Sequence, residues 1–387
     1  MKKIAVVTAD RAEYGILTPL LRRIWSDSGL KLDLIVTGTH LSERHGMTVK
    51  FIEEDGFPIS HRIPILEEGN TPCHISFTMA NALKKFATCF RDDVPEMVVI
   101  LGDRTEMLGV ACAAMNERIP IAHIHGGEIT EGAVDDCVRH ALTKMSYLHF
   151  TSTEEYRKRV IQMGEEPERV FNVGALSTEA ILQTSLMDEK EVRRSAGIPA
   201  NVPYAVVTFH PVTLEAGSES EQTRELCEAM LECRENFFLV TGTNADAGGD
   251  TVNHIMKQMV LGRQNIGFIQ NLGFIRYLSA VKYADFVLGN SSSGIIEAPV
   301  LGTPTVNIGS RQKGRIFPET VIQCEPEQQS IKSAIGSAKL MPHRQVHIYG
   351  DGNTSEYIVK QLKEFLNSHN TCVKKQFYDL DLRKGDY

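Results

Sequence analysis

The chain has no uninterrupted apolar stretch long enough to span a bilayer, and it opens directly into a strand-like run instead of a signal peptide. No membrane association is expected, and a cytoplasmic location is. Eight cysteines (Cys73, Cys89, Cys112, Cys137, Cys227, Cys233, Cys324 and Cys372) are scattered without a CxxC pair. That spacing argues against a zinc site or a disulfide framework and for reduced thiols, many of them filling cores. A long basic run is missing too: 41 Lys and Arg against 49 Asp and Glu leave a net charge of −8. Nucleic acid is therefore not an expected partner. There is no GxxxxGK[ST], and no strand-associated GxGxxG with a following acidic residue. A P-loop and ordinary dinucleotide binding are both disfavoured. No His, Cys and Asp cluster has metal-ligand spacing, so no metal and no other cofactor is expected.

What remains is the composition of an ordinary globular protein, 387 residues with 42% apolar and 23% charged residues, long enough for two α/β domains. Apolar runs at Ile4–Ala9, Leu32–Gly38, Met97–Gly102, Ile119–His125, Leu148–Ser152 and Val170–Gly174 read as strands. Most are joined by long helical connections, which predicts a parallel sheet. The alternation loosens around Ile181–Glu191 and restarts at Tyr204–Phe209, Phe237–Thr241, Gly267–Ile269, Phe286–Leu288 and Thr305–Ile308. The expected organisation is a Rossmann-like domain over residues 1–182, a second over 183–365, and a helix end and charged tail over 366–387. Two doubly wound domains in series predict a cleft between them, lined by residues at the carboxyl ends of strands.

Polar residues gather at those ends: Asp10-Arg11, Thr39-His40, Asp103-Arg104, His125–Glu128, His210 and Thr243-Asn244. The strand Phe286–Leu288 runs into Gly289-Asn290-Ser291-Ser292-Ser293-Gly294, a hydroxyl-rich turn opening a helix. Ser291, Ser292 and Ser293 at a positive helix end make an anion site, and Glu297 lies where it can accept from ribose hydroxyls. An ordinary Ser-capped helix with a surface Glu accounts for the same residues. Arg11, Arg311 and Arg315 follow strand ends and are fork-shaped donors suited to a diphosphate; solvated surface arginines are the plainer reading.

With these motifs in hand, the chain resembles the hydrolysing UDP-N-acetylglucosamine 2-epimerases of bacterial sialic-acid synthesis. The resemblance runs over roughly residues 1–370 and rests on Thr8–Gly15, Val36–His40, Leu101–Arg104, His123–Glu128, Asp135–His140, Phe209–Pro211, Gly289–Pro299 and Gly309–Gln312. It implies a GT-B type fold, UDP held mainly by the second domain, and assembly as a homodimer or higher oligomer. The implied reaction takes UDP-GlcNAc and water to N-acetylmannosamine and UDP. A neighbouring branch acts on UDP-N,N′-diacetylbacillosamine and is the alternative; a GT-B glycosyltransferase is a more distant one.

The C2 proton of a pyranose is not flanked by a carbonyl, so UDP must leave first or nearly so. The developing oxocarbenium then acidifies C2–H and 2-acetamidoglucal results. Water adds across the double bond with the new C2 proton on the opposite face. A held leaving group, a base and acids on either side of C2 are needed. Asp103 ends a buried strand, where desolvation can raise its pKa, although capping of a helix Arg104–Ala114 also explains it. Asp135 and Asp136 stand at the start of a helix Cys137–Tyr147, two acids where a cap needs one. By resemblance, Asp103 and Asp135 match the family's proton-transfer carboxylates. Many members carry Glu where this chain has His125, so either His125 or Glu128 takes that role. His210 is expected at the leaving phosphate, and His40 is a weaker candidate there. Arg104, Asp136, Arg139, Thr243 and Asn244 are expected to contact substrate.

Overall fold

The computed structural model describes residues 1–69, 71–129, 134–211, 218–243, 249–368 and 373–380. Asn244 lies outside the described residues. The chain divides into two units, the first comprising Met1–Glu128, Val134–Ala180 and Tyr349–Tyr387, the second Ile181–Ile348 with Ile129–Ala133.

The first unit is built on seven strands: β1 (Lys2–Thr8), β2 (Leu30–Thr37), β3 (Ile59–Ile63), β4 (Met97–Leu101), β5 (Ile121–Ile124), β6 (Leu148–Thr151) and β7 (Val170–Asn172). Their order is β3-β2-β1-β4-β5-β6-β7 with every pairing parallel. Side chains alternate across a strand, and β1 divides its apolar residues accordingly. Ile4 and Val6 join one buried cluster with Leu34, Val36 and Leu20, while Ala5 and Val7 join another with Ile35, Phe86 and Phe90. Both faces are covered by helices, which explains the continuous apolar runs.

The second unit repeats the plan with β8 (Tyr204–Thr208), β9 (Phe237–Thr241), β10 (Ile266–Ile269), β11 (Phe286–Gly289), β12 (Thr305–Ile308) and β13 (Val321–Cys324). The order is β10-β9-β8-β11-β12-β13, again all parallel. In each sheet the order reverses once, between β1 and β4 and between β8 and β11. Ligands of doubly wound sheets bind outside the carboxyl ends at such a reversal. Among the described residues no helix is long and apolar enough to cross a membrane.

Three features depart from the sequence reading. The strands β3 and β13 are additional; both are edge strands, and β3 (Ile59-Ser60-His61-Arg62-Ile63) lacks the apolar run of a central strand. The helix Thr354–Asn367, expected with the second domain, belongs to the first unit. Ile358, Leu362 and Leu366 enter the cluster of Leu20 and Leu34, and the buried Glu179 carboxylate accepts from the Ser355 amide and hydroxyl at 2.6 Å each. Amphipathic periodicity announces a buried face but does not say which sheet receives it. The residues beyond this helix are also engaged: Lys375 donates to the carbonyls of Lys144 and Ser146 and to Glu165 at 2.7–2.8 Å.

Candidate functional site

At the β4–β5 end of the first sheet, the centre is Arg139, 3% exposed on the helix Val134–Met145. Its guanidinium pairs with Asp103, donates to the Glu128 carbonyl at 2.9 Å, and lies 3.5 Å from Asp136. A buried fork donor whose neighbours are carboxylates fixes their orientation, because breaking one contact strands the charge. Asp103 is half-buried beside this arginine and not enclosed in an apolar pocket. Nor does it cap a helix: that helix runs Met107–Asn116, with Glu106 at its N-cap. The capping explanation of Asp103 is thereby removed.

Asp135 and Asp136 lie within the first turn of Val134–Met145, not ahead of it. Carboxylates there are favoured by the helix dipole. Asp135 is exposed, and Asp136 reaches His140 Nε2 at 3.3 Å. Glu128 is buried, accepts from the Ser152 hydroxyl at 3.0 Å, and has His125 Nδ1 at 3.9 Å from its carboxylate. His125 has φ +66°, a left-handed conformation that a histidine adopts at a cost of order 1 kcal/mol. Its amide donates to the Phe150 carbonyl at 2.8 Å, which holds the turn. Gly127 follows at φ +80°, where a Cβ would meet the Tyr156 carbonyl at 2.4 Å. The two open alternatives at this motif, His125 and Glu128, thus sit together.

Beside it, at the end of β1, Asp10 caps the helix Arg11–Ser26 through the Glu13 amide at 2.8 Å and pairs with Arg104. Arg104 also donates to Glu106 at 2.7 Å. The arginine is held between two carboxylates of its own unit. Arg11 is exposed, 4.3 Å above the Phe51 ring. Glu13 is buried and accepts from the Ala9 amide at 2.7 Å; burial pushes its carboxyl up to about 8. His40 is fully buried with Nε2 at 3.2 Å from the Thr8 hydroxyl and Nδ1 at 2.8 Å from that of Thr48. Burial lowers its pKa to about 4. Both ring nitrogens are engaged within the unit, where the ring braces β1 against the segment after β2. A strand-end histidine reads the same in sequence whether it faces in or out.

In the second unit, the β8–β11 reversal brings His210 to Asn290. The His210 amide donates to Asn290 Oδ1 at 2.7 Å, and Asn290 Nδ2 returns a bond to the His210 carbonyl at 2.8 Å. Arg311 and Gln312 both donate to the Asn290 carbonyl, at 3.1 and 2.9 Å. His210 is buried; desolvation first, and the Arg311 charge second, lower its pKa to about 4. Arg315 lies in the same loop, half-buried. Asn290 was not anticipated as a hub. It stands inside the serine-rich motif, which was the available signal.

The helix after β11 spans Ser293–Leu301 with Ser292 as its cap residue. The Ser291 hydroxyl accepts from the Ser293 amide at 3.4 Å. Ser293 donates to Glu297 one turn on, and receives Tyr277 Oη at 2.9 Å. Burial raises Glu297 above the usual carboxylate range, and burial together with Glu297 raises Tyr277 to about 12. Tyr277 was missed, because it belongs to the helix Phe274–Tyr283, which reads as ordinary packing. Thr243 takes the Asn253 side chain on its amide at 3.0 Å.

These two groups offer complementary chemistry: oriented carboxylates with an imidazole in one unit, and arginines, hydroxyls and a helix start in the other. A chain-wide family description, UDP-N-acetylglucosamine 2-epimerase, matches residues 22–363. The chain is 38% identical to Escherichia coli polysialic acid biosynthesis protein P7, over 98% of both chains. It is 37% identical to the hydrolysing GDP/UDP-N,N′-diacetylbacillosamine 2-epimerase of Campylobacter jejuni, over 84% of both. The fold is of the GT-B type seen in the Neisseria meningitidis UDP-GlcNAc 2-epimerase crystallised with UDP-GlcNAc. That match has a TM-score of 0.80 at 17% identity and covers 94% of this chain and all of the other.

Proposed function

The chain belongs to the UDP-N-acetylglucosamine 2-epimerase family, and from that membership we propose that it converts UDP-N-acetylglucosamine and water into N-acetylmannosamine and UDP. The C1–O bond breaks and its electron pair leaves with UDP. A base takes the C2 proton, and the C2–H electrons form the C1–C2 double bond of 2-acetamidoglucal. Water then supplies hydroxyl to C1, and an acid returns a proton to C2 from the opposite side. Asp103, Asp135 and the His125–Glu128 pair are the groups for the two proton transfers. His210, Arg311, Arg315 and the serines Ser291–Ser293 hold the diphosphate, while Glu297 accepts from the ribose. A neutral His210 donates one hydrogen bond to the departing phosphate, and the Arg311 charge offsets what accumulates there.

The observation that carries this reading is the Arg139 hub, which orients Asp103 and contacts Asp136 and the Glu128 backbone from one buried guanidinium. A glycosyltransferase has no need of a fixed array of acids. Turnover of UDP-GlcNAc in deuterated water, followed by NMR, tests it. The expected product is free N-acetylmannosamine bearing deuterium at C2; UDP-N-acetylmannosamine, or no UDP release, overturns it. The 37% relative supports UDP-N,N′-diacetylbacillosamine as a second reading. Faster UDP release from that sugar than from UDP-GlcNAc would favour it.

The exposed apolar residues Ile75, Phe77 and Leu83 on the helix Pro72–Asp92 support self-association. Sedimentation is expected to give a dimer or larger for the native chain and a shift towards monomer for Phe77→Asp.

A further inference from the structure

The β2–β3 edge of the first sheet carries a side-chain cluster that the reaction does not use. Asp33 lies on β2, His61 on the edge strand β3, and Asp93 caps the C-terminus of the helix Pro72–Asp92. Their ligand atoms all fall within 4.8 Å of one another. His61 Nε2 is 3.2 Å from Asp93 Oδ2 and 3.8 Å from Asp33 Oδ1. Donors about 2.1 Å from a tetrahedral zinc stand about 3.4 Å apart, so this triangle has roughly the dimensions of a shared coordination sphere.

A second observation is independent of the spacing. Asp33 is 3% exposed, and its Oδ2 has no hydrogen-bond partner among the described residues. A buried carboxylate oxygen left unmatched is costly. Lys3 pairs with Asp93 through the other oxygen, Oδ1, which leaves one lysine for two carboxylates. The oxygen turned towards His61, Oδ2, is held at 3.2 Å by the imidazole itself, a contact that a cation seated between the two would replace.

We propose that Asp33, His61 and Asp93 form a binding site for a divalent cation, zinc by its donor set of one imidazole and two carboxylates. The cation joins the middles of β2 and the edge strand β3 to the end of the long helix, whereas the epimerase groups of the same unit lie at the carboxyl ends of the strands. Its role is to fasten this edge, with one coordination position left to water. Sequence spacing hid the site because its members come from three separate elements.

The test is titration of the chelator-treated full chain with zinc chloride alone, by calorimetry and by thermal unfolding. One equivalent is expected to bind and raise Tm. His61→Ala, a change at a half-exposed position, is expected to weaken binding about tenfold or more, equivalent to at least 1.4 kcal/mol, with UDP release unchanged. Lys3→Ala removes the competing cation and is expected to tighten binding. No saturable uptake by the native chain overturns the proposal. So does His61→Ala binding zinc as the native chain does, or Lys3→Ala binding it more weakly.

Discussion

Arg139 fixes more of its surroundings than its type suggests. It is buried, and three of its neighbours are acidic residues or their backbone. Asp103 is consequently held in one orientation and not left to rotate at a strand end. Asp103→Asn preserves shape but removes both the charge that pairs with Arg139 and the ability to shuttle a proton. The expected outcome is a fall in kcat of about 10²–10⁴-fold with little change in KM, measured by UDP release; full turnover would remove Asp103 from the mechanism. The sequence made Asp103, Asp136 and Arg139 visible as neighbours in motifs, but their convergence depends on β4 lying beside β5. His40 illustrates the converse. Its neighbours in sequence are those of a site residue, and only Thr8 and Thr48 on its two nitrogens reveal an interior brace.

At the scale of elements, the β11 turn is shaped by one glycine. Gly289 has φ +137°, and a Cβ there would stand 2.0 Å from the Thr208 carbonyl oxygen on the neighbouring β8. Gly289→Ala must push β8 and β11 apart, and with them His210 and Asn290. A loss of a few kcal/mol is expected in denaturant unfolding, together with weaker binding of UDP. Unchanged stability would show that the turn relaxes without cost. Central strands were legible because burial on both faces leaves an unbroken apolar run; β3 was not, because an edge strand of alternating polarity looks like a loop. Helix starts shifted by three residues at Asp103 and Asp135. There the first turn is set by where the chain leaves the sheet, a property of packing and not of the local residues.

For the molecule as a whole, four buried groups set opposing limits on pH stability. Unfolded, Glu13 releases its proton near 4.5, whereas the fold keeps it to about 8. Between those values stability falls as pH rises, by up to about 1.4 kcal/mol per pH unit. His40, His123 and His210 ordinarily titrate at 6.5 but are lowered by burial to about 4, 3 and 4. Below 6.5 the unfolded chain takes up protons that the folded one refuses, so their contribution is lost as pH falls. Three histidines outweigh one carboxyl on the acid side, and of these four only Glu13 acts above it. These four groups place maximal stability near pH 6.5. Glu13→Gln is expected to flatten the decline between pH 6.5 and 8 while leaving the acid limb intact, read as Tm against pH; an equally steep decline in the variant refutes the assignment. The two-sheet plan was readable from the restart of alternation at Tyr204, but the return of the chain was not. The second unit is entered at Ile181 and left at Ile348, so a ribosome delivers all of it before Ile358, Leu362 and Leu366 emerge. The interior begun by β1 and β2 must therefore wait, unfinished, until Ile358, Leu362 and Leu366 have been made.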